Sequence, residues 1–297
     1  MPELPEVETI KNELKKTVCG KKILRVEILN PKVIRQPSPG EFKKALENLK
    51  VKDVFRRGKL LVAELSDGRF LTVHLKLTGQ LVFQKSFSGK RNSAESGSKK
   101  SARRVTFYFR SGPALDFNDQ RLFGELRLLD DWKKLKFIQR LGPEPLELSY
   151  GDFESMLLKR KTEIKPLLMD QSFIAGIGNI YAAEILFFAG VNPRCPAKFL
   201  DKNRRRAVYS KMRMVLKKAV RYGGSSVDDY VRVSGENGKY AQFHRVYGRE
   251  GKPCFVCSTP ISRIVQGSRG TYFCPRCQPL PAGLNRGQSS SNKKDGK

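Results

Sequence analysis

The chain has 297 residues, with 58 Lys or Arg against 29 Asp or Glu and a formal charge of +29. Such a length can bury a sizeable core and suits two domains, and the charge points to a polyanionic partner, nucleic acid before an anionic membrane. No run approaches the 18 apolar residues of a membrane-spanning helix, and the start lacks the basic-then-apolar pattern of a signal peptide, so a cytoplasmic protein with reduced cysteines is expected.

The chain opens Met1-Pro2-Glu3-Leu4-Pro5-Glu6-Val7-Glu8-Thr9. A small second residue normally lets the initiator Met be trimmed, which would leave Pro2 as a terminal secondary amine. Such an amine has a reference pKa of about 8 against about 10.4 for lysine, so more of it is unprotonated and able to attack a sugar aldehyde carbon. The resulting iminium keeps its charge and acts as an electron sink. Glu3 and Glu6 are close by for proton transfer. The plainer reading of the same residues is a helix start, with Pro5 in the first turn and acids at the positive end of the dipole.

Val7, Ile10, Leu14 and Val18 repeat at helical spacing, which predicts a helix from Pro5 to about Val18. From Lys22 to about Leu129 the texture changes to short strands: Lys22–Leu29, Leu60–Leu65, Phe70–Leu75, Gln80–Gln84, Arg104–Arg110 and Gly124–Leu129. This reads as a β-sandwich or flattened barrel behind one leading helix. Within it, Arg56-Arg57-Gly58-Lys59 reads as a turn able to offer three cations to phosphate. Residues 86–103 are polar, Ser-rich and basic, and are expected to form a mobile loop.

The strand pattern ends near Leu141-Gly142-Pro143-Glu144-Pro145, where a domain linker is expected. Helices follow over Tyr150–Arg160, Ile164–Met169, Ile177–Ala189 and about Asp201–Tyr222, the last with Val208, Met212, Val215 and Ala219 as its buried stripe. Gly176 and Gly178 precede the third of these. Glycine lets backbone approach a ligand, and a helix N-terminus with Asn179 beside it can hold an anion such as a DNA phosphate; a plain helical hairpin capped by Asn179 is the alternative.

Cys254, Cys257, Cys274 and Cys277 form two CxxC knuckles separated by 16 residues. Four thiolates in this spacing suit one tetrahedral Zn²⁺, with no position left for substrate, so a structural zinc is expected. The strand-like residues between the knuckles predict a β-hairpin whose Gly267-Ser268-Arg269-Gly270 tip projects Arg269. Cys19 and Cys195 lack partners and read as small hydrophobes. The tail from 282 to 297 is low in complexity and expected to be disordered.

MPELPEVET, RRGKLL, HLKLTG, DQRLFG, the IKPLLMDQ…GIGNIYAAEIL block and VYGREGKPC with its four cysteines together resemble formamidopyrimidine-DNA glycosylases, bacterial enzymes that remove oxidised purines. The likeness runs from Pro2 to about Gln278. It implies an α+β protein divided into a catalytic β-sandwich domain (1–140), a helix–two-turns–helix domain (141–243), a zinc-finger hairpin (244–281) and the tail. It also implies a glycosylase and apurinic/apyrimidinic lyase acting as a monomer, without membrane, on double-stranded DNA holding an oxidised or abasic nucleotide, in the bacterial cytoplasm at the nucleoid. Pro2 then corresponds to the nucleophile, Glu3 to its acid/base partner and Glu6 to the active-site cluster. Lys59 corresponds to the second catalytic cation and Arg269 to the finger arginine assigned to phosphate and δ-elimination. Lys165 and Asn179 match phosphate contacts, with Arg160 in the basic stretch before them, and Arg121 and Phe123 match residues facing the orphaned base and the wedge. Leu77 stands where the family has a wedge methionine, Leu122 where it has a second arginine, Ala102 where it has a histidine, and Asp228 where some members carry a basic residue. These departures bear on lesion preference and opposite-base discrimination. Two other readings stand beside this one: an endonuclease VIII-type enzyme for oxidised pyrimidines, and a non-catalytic DNA-binding zinc protein.

Overall fold

The computed structural model describes residues 1–85, 102–110, 112–227 and 229–281. All but the last two residues of the loop read at 86–103, together with Asp228 and the tail read at 282–297, lie outside the described residues. The chain divides into two compact units, one of Met1–Glu144 with Leu216–Phe243, the other of Pro145–Val215 with His244–Lys297 as far as it is described.

The first unit begins with helix α1, Leu4–Val18. Glu3 is its N-cap, Pro5 and Glu6 fill the first turn and Lys15 and Lys16 the last, a charge order that complements the helix dipole. Its stripe of Val7, Ile10, Leu14 and Val18 is at most 5% exposed, so each of these side chains contributes about 1.5–3 kcal/mol of burial. β1 (Ile23–Ile28), β2 (Ile34–Gln36), helix α2 (Pro39–Leu46), β3 (Val51–Arg57), β4 (Leu60–Leu65), β5 (Phe70–His74), β6 (Gln80–Gln84), β7 (Arg103–Phe109), β8 (Ala114–Asn118), β9 (Glu125–Leu129) and a single helical turn, α3 (Lys136–Gln139), follow. They form a four-stranded sheet in the order β1-β7-β8-β6 and a five-stranded sheet in the order β2-β9-β5-β4-β3. Val26, Val105, Phe107, Phe117 and Leu81 from the first sheet and Val54, Leu61, Val73 and Leu126 from the second share one core with α1. The expected β-sandwich with a leading helix is therefore found. Tyr230 and Val233 from the later segment join the same core, and the Phe83 N–H donates to the Val233 carbonyl at 2.8 Å.

Sequence reading overlooked α2, β2, β3 and β8. Arg56 and Arg57 belong to β3 rather than to a turn.

The second unit holds α4 (Tyr150–Leu158), α5 (Ile164–Met169), α6 (Asn179–Phe188), the part of α7 (Lys202–Arg221) before Leu216, and a hairpin of β10 (Ser262–Gln266) and β11 (Arg269–Phe273). α6 is buried on nearly every side, from Ile180 to Phe187, as a central helix must be. Gly178 is its N-cap, which moves the helix start from the expected Ile177 to Asn179. Val208, Met212, Val215 and Ala219 of α7 are buried as their spacing predicts.

Candidate functional site

Pro2, Glu3 and Glu6 are all buried at the start of α1. The Glu3 N–H donates to Glu6 Oε2 at 2.8 Å, one half of a capping box. The other carboxylate oxygen, Oε1, accepts the Ser225 N–H at 2.7 Å. Gly224 reaches this close because it lacks a side chain: its φ is +80°, and a Cβ there would lie 2.8 Å from Glu6 Oε1. Gly224 was not singled out from sequence and Ser225 only located the segment that carries Asp228, although the Gly223-Gly224 pair was a visible signal of unusual backbone.

Lys59 occupies the two-residue turn between β3 and β4, where Arg57 pairs with Leu60. Gly58 has φ +56°, which fits a type II′ hairpin turn with glycine in its first central position. The two arginines before it point to acids. Glu144 accepts from Arg56 at 2.6 Å, Arg57 at 3.1 Å and the Gly58 N–H at 2.7 Å, and Arg56 also reaches Glu8 at 2.6 Å. The idea of three cations presented together to phosphate is thus corrected: Arg56 and Arg57 fix the turn. His74, paired across the strands with Leu60, accepts the Lys76 N–H on Nδ1 at 3.1 Å, so its ring proton is on Nε2. Burial first, then the Lys76 charge, pushes its pKa down to about 3. It is a neutral donor, a role that sequence reading, which noted His74 only as part of the HLKLTG turn, did not assign.

Asp119 joins the two loops that carry Leu77, Arg121 and Phe123. It is fully buried and accepts the Thr78 hydroxyl, the Arg121 N–H at 3.2 Å and the Gly124 N–H at 2.6 Å. A Cβ on Gly124 would lie 2.5 Å from the Phe117 ring, so this loop packs flat on the sheet. The Arg121 guanidinium lies 4.9 Å from the centroid of the Phe123 ring, and Phe123 is 47% exposed. A large apolar ring left outside, braced by an arginine, is suited to stacking on bases.

In the second unit Lys165 is 1% exposed and donates from Nζ to Asn179 Oδ1 at 2.6 Å. Asn179 Nδ2 donates in turn to the Gly270 carbonyl at 3.1 Å. These bonds bring α5, the first turn of α6 and the hairpin together, beside Arg269. Asn179 is the first helical residue, not the cap. The hairpin turns at Gly267-Ser268, with φ of +52° and +63°, the pattern of a type I′ turn. Arg269 pairs with Gln266 at the start of β11 and is exposed there, rather than standing on the turn itself. Arg160 is exposed, with its guanidinium 5.9 Å from the centroid of the Phe173 ring.

The Sγ atoms of Cys254, Cys257, Cys274 and Cys277 all lie within 4.8 Å of one another, with separations of 3.9, 3.4 and 3.4 Å among them. A tetrahedron with Zn–S of about 2.3 Å needs S···S of about 3.8 Å, so the four thiolates fit one structural zinc. Gln278, fully buried, accepts the Cys274 N–H at 2.9 Å and donates to the Val191 carbonyl at 2.8 Å. Glu184 of α6, also fully buried, accepts the N–H groups of Arg245, Val246 and Tyr247 at 2.8–3.0 Å and anchors the approach to the finger. Neither residue carries a recognisable sequence signal.

Three family models match: the formamidopyrimidine-DNA glycosylase N-terminal domain over residues 1–126, the H2TH domain of the same proteins over 141–231, and the zinc finger found in FPG and IleRS over 251–280. Formamidopyrimidine-DNA glycosylases of Pelotomaculum thermopropionicum and Solibacter usitatus are 42% and 40% identical, each over 94% of this chain and 99% or more of their own. Lactococcus lactis Fpg, solved with DNA containing an abasic site, superposes with a TM-score of 0.83 at 31% identity, over 93% of this chain and 99% of its own. MutM with DNA containing carbocyclic 8-oxo-G gives 0.82 at 32% identity, over 94% and 100%. The chain belongs to the formamidopyrimidine-DNA glycosylase family.

Proposed function

We propose that this protein is a bifunctional DNA glycosylase and apurinic/apyrimidinic lyase that excises formamidopyrimidines and 8-oxoguanine opposite cytosine during base excision repair. The observation that carries the reading is the buried Pro2-Glu3-Glu6 group at the head of α1, in a chain whose relatives are named for this activity over their full length. In the proposed reaction the Pro2 nitrogen, freed by loss of Met1, bonds to C1′ as the glycosidic bond breaks and the base leaves with its electron pair and a proton. The C1′–O4′ bond then opens with a proton delivered to O4′, a role proposed for Glu3, and leaves an iminium. Loss of a C2′ proton expels the 3′ phosphate, and a second elimination expels the 5′ phosphate.

Glu6 is proposed to hold the site's geometry, and Lys59 and Arg269 to steady the phosphates during elimination. Lys165, Asn179 and Arg160 are proposed as DNA contacts, and Leu77, Arg121 and Phe123 as the side chains that fill the space of the extruded nucleotide. The zinc supplies structure to the finger and no chemistry. The segments 1–140, 141–243 and 244–281 are proposed as catalytic, helix–two-turns–helix and finger domains. We further propose a monomer acting at the bacterial nucleoid; among the described residues no helix is long and apolar enough to cross a membrane.

Borohydride trapping tests the reading. With an 8-oxoguanine·cytosine duplex, a covalent protein–DNA adduct at Pro2 is expected, absent from a form that keeps a residue ahead of Pro2. An adduct formed only with an oxidised-pyrimidine duplex would favour the endonuclease VIII-type alternative. Tight, salt-sensitive binding with no adduct even at a plain abasic site would leave a non-catalytic DNA-binding protein.

A further inference from the structure

Two carboxylates of α1, seven residues apart and so on one face of the helix, grip the same stretch of chain. Glu6 takes the Ser225 N–H at 2.7 Å. Glu13 Oε1 accepts from Arg232 Nε at 2.6 Å and from a terminal guanidinium nitrogen at 2.5 Å, while Oε2 accepts the Val233 N–H at 2.8 Å. The Glu13 side chain is 18% exposed and that of Arg232 32%. A forked, half-buried arginine–carboxylate pair that also receives a backbone N–H differs from a solvated surface pair in both strength and direction. Arg232 reaches Glu236 as well, at 3.0 Å, but that acid is exposed.

Between and around the two grips the chain is cross-braced. The Ser226 hydroxyl donates to the Tyr230 carbonyl at 2.8 Å and accepts the Gly238 N–H at 2.8 Å. The buried Tyr230 hydroxyl donates to the Gly223 carbonyl at 3.0 Å. A displacement at Arg232–Val233 is therefore transmitted to Ser225 and to the Gly224 backbone that abuts Glu6. Val227, two residues beyond the Ser225 N–H that Glu6 holds, remains 43% exposed, an apolar surface that a planar base could cover.

We propose that Glu13 is a positioning residue: with Arg232 it locks residues 225–227 against Glu6 and so sets how well the site holds a damaged base, without touching the substrate. The proposal rests on the glycosylase reading. Its consequence is selective. An abasic nucleotide presents no base to hold, so loosening the lock acts on base excision and spares cleavage at a preformed abasic site.

The test compares Glu13→Ala, Arg232→Ala, the double variant and Glu13→Gln with the unaltered protein, in single-turnover excision of 8-oxoguanine and in cleavage of a plain abasic site, with thermal unfolding as a check on folding. Each single Ala variant is expected to slow excision about tenfold while abasic cleavage changes less than about twofold, and the double variant to be no slower than either, the mark of two residues acting as one unit. Glu13→Gln, which keeps an acceptor for the Val233 N–H, is expected to fall in between. Amide hydrogen exchange without DNA supplies a second measure: in Glu13→Ala, exchange at Ser225 as well as at Val233 is expected to rise about tenfold, although Ser225 keeps its own acceptor. Excision at the unaltered rate, equal losses in both reactions, or faster exchange at Val233 alone would overturn the proposal. Should the unaltered protein cleave neither duplex while Ser225 still loosens in Glu13→Ala, the glycosylase reading fails and the lock stands as a device that positions the loop.

Discussion

Asn179 holds Lys165 and the finger hairpin at once: its Oδ1 takes the Lys165 ammonium at 2.6 Å and its Nδ2 reaches the Gly270 carbonyl at 3.1 Å. A side chain used at both ends cannot be shortened without leaving polar groups stranded. Asn179→Ala is expected to destabilise its unit by about 1–3 kcal/mol and to weaken binding to an abasic-analogue duplex about tenfold, an order of magnitude being 1.4 kcal/mol of contact. Denaturant unfolding and a binding isotherm at fixed salt would measure the two effects; unchanged affinity on a destabilised protein would remove Asn179 from the DNA contacts.

Asp119 is the corresponding keystone of the first unit. Replacing it with Ala strands the Gly124 N–H and the Thr78 hydroxyl proton and leaves the Arg121 N–H only its bond to Thr78 Oγ1 at 3.2 Å, at a cost of about 3 kcal/mol. The two loops then lose their register, so the ratio of excision opposite cytosine to excision opposite adenine is expected to fall toward one. A variant that loses stability but keeps that ratio would show that Arg121 and Phe123 do not read the orphaned base.

The chain has two histidines, and both are held neutral. Burial, followed by the Lys76 charge, lowers His74 to about 3, and burial lowers His244 to about 4. An unfolded histidine titrates near 6.5, so below that pH the unfolded chain binds protons that the folded one does not. Stability is therefore complete above about pH 7 and falls as the pH drops through 6.5 toward each folded value, by up to ~1.4 kcal/mol per pH unit for each histidine. Urea midpoints measured from about pH 7.5 to pH 5 should trace this slope, and His244→Asn should flatten it for the unit that holds the finger.

Removing the zinc is expected to unfold the finger, residues 251–280, because the four sulfurs brought within 4.8 Å lose the cation that binds them as thiolates and take up protons, and bound zinc contributes about 10–16 kcal/mol in small finger peptides. A chelator should abolish DNA binding, with one zinc released per chain by metal analysis, and leave the β-sheet circular dichroism of the first unit in place. Binding that survives complete zinc loss would take the finger out of the DNA interface.

Much of this architecture was legible because it depends on local pattern. The stripe of α1, the strands at Leu60–Leu65 and Gln80–Gln84, helix α5 and the zinc knuckles all follow from spacing alone. What escaped depends on distant partners. β8 hides because Asp116 interrupts its apolar run, and that aspartate, buried inside, accepts the Thr106 hydroxyl at 2.7 Å. β3 hides because Lys52 and Asp53 break its alternation and Arg56 finds Glu144, 88 residues away. α2 was readable, since Ser38 and Glu41 form a capping box around Pro39, and was missed. In the candidate site, Pro2 and Glu3 declare themselves by position. Asp119, Glu184 and Gln278 do not, because a carboxylate or amide that organises backbone elsewhere looks in sequence like any surface residue.

The grip on Glu6 also bears on how this protein can drift. Its two named partners, the N–H groups of Glu3 and Ser225, belong to the main chain. Ser225 is itself only 3% exposed, so changes among small residues there leave such a bond intact, at little cost to the acid's placement. One position earlier no such latitude exists, because any side chain on Gly224 would meet Glu6 at 2.8 Å. Libraries of variants should find tolerance and intolerance side by side, at neighbouring codons.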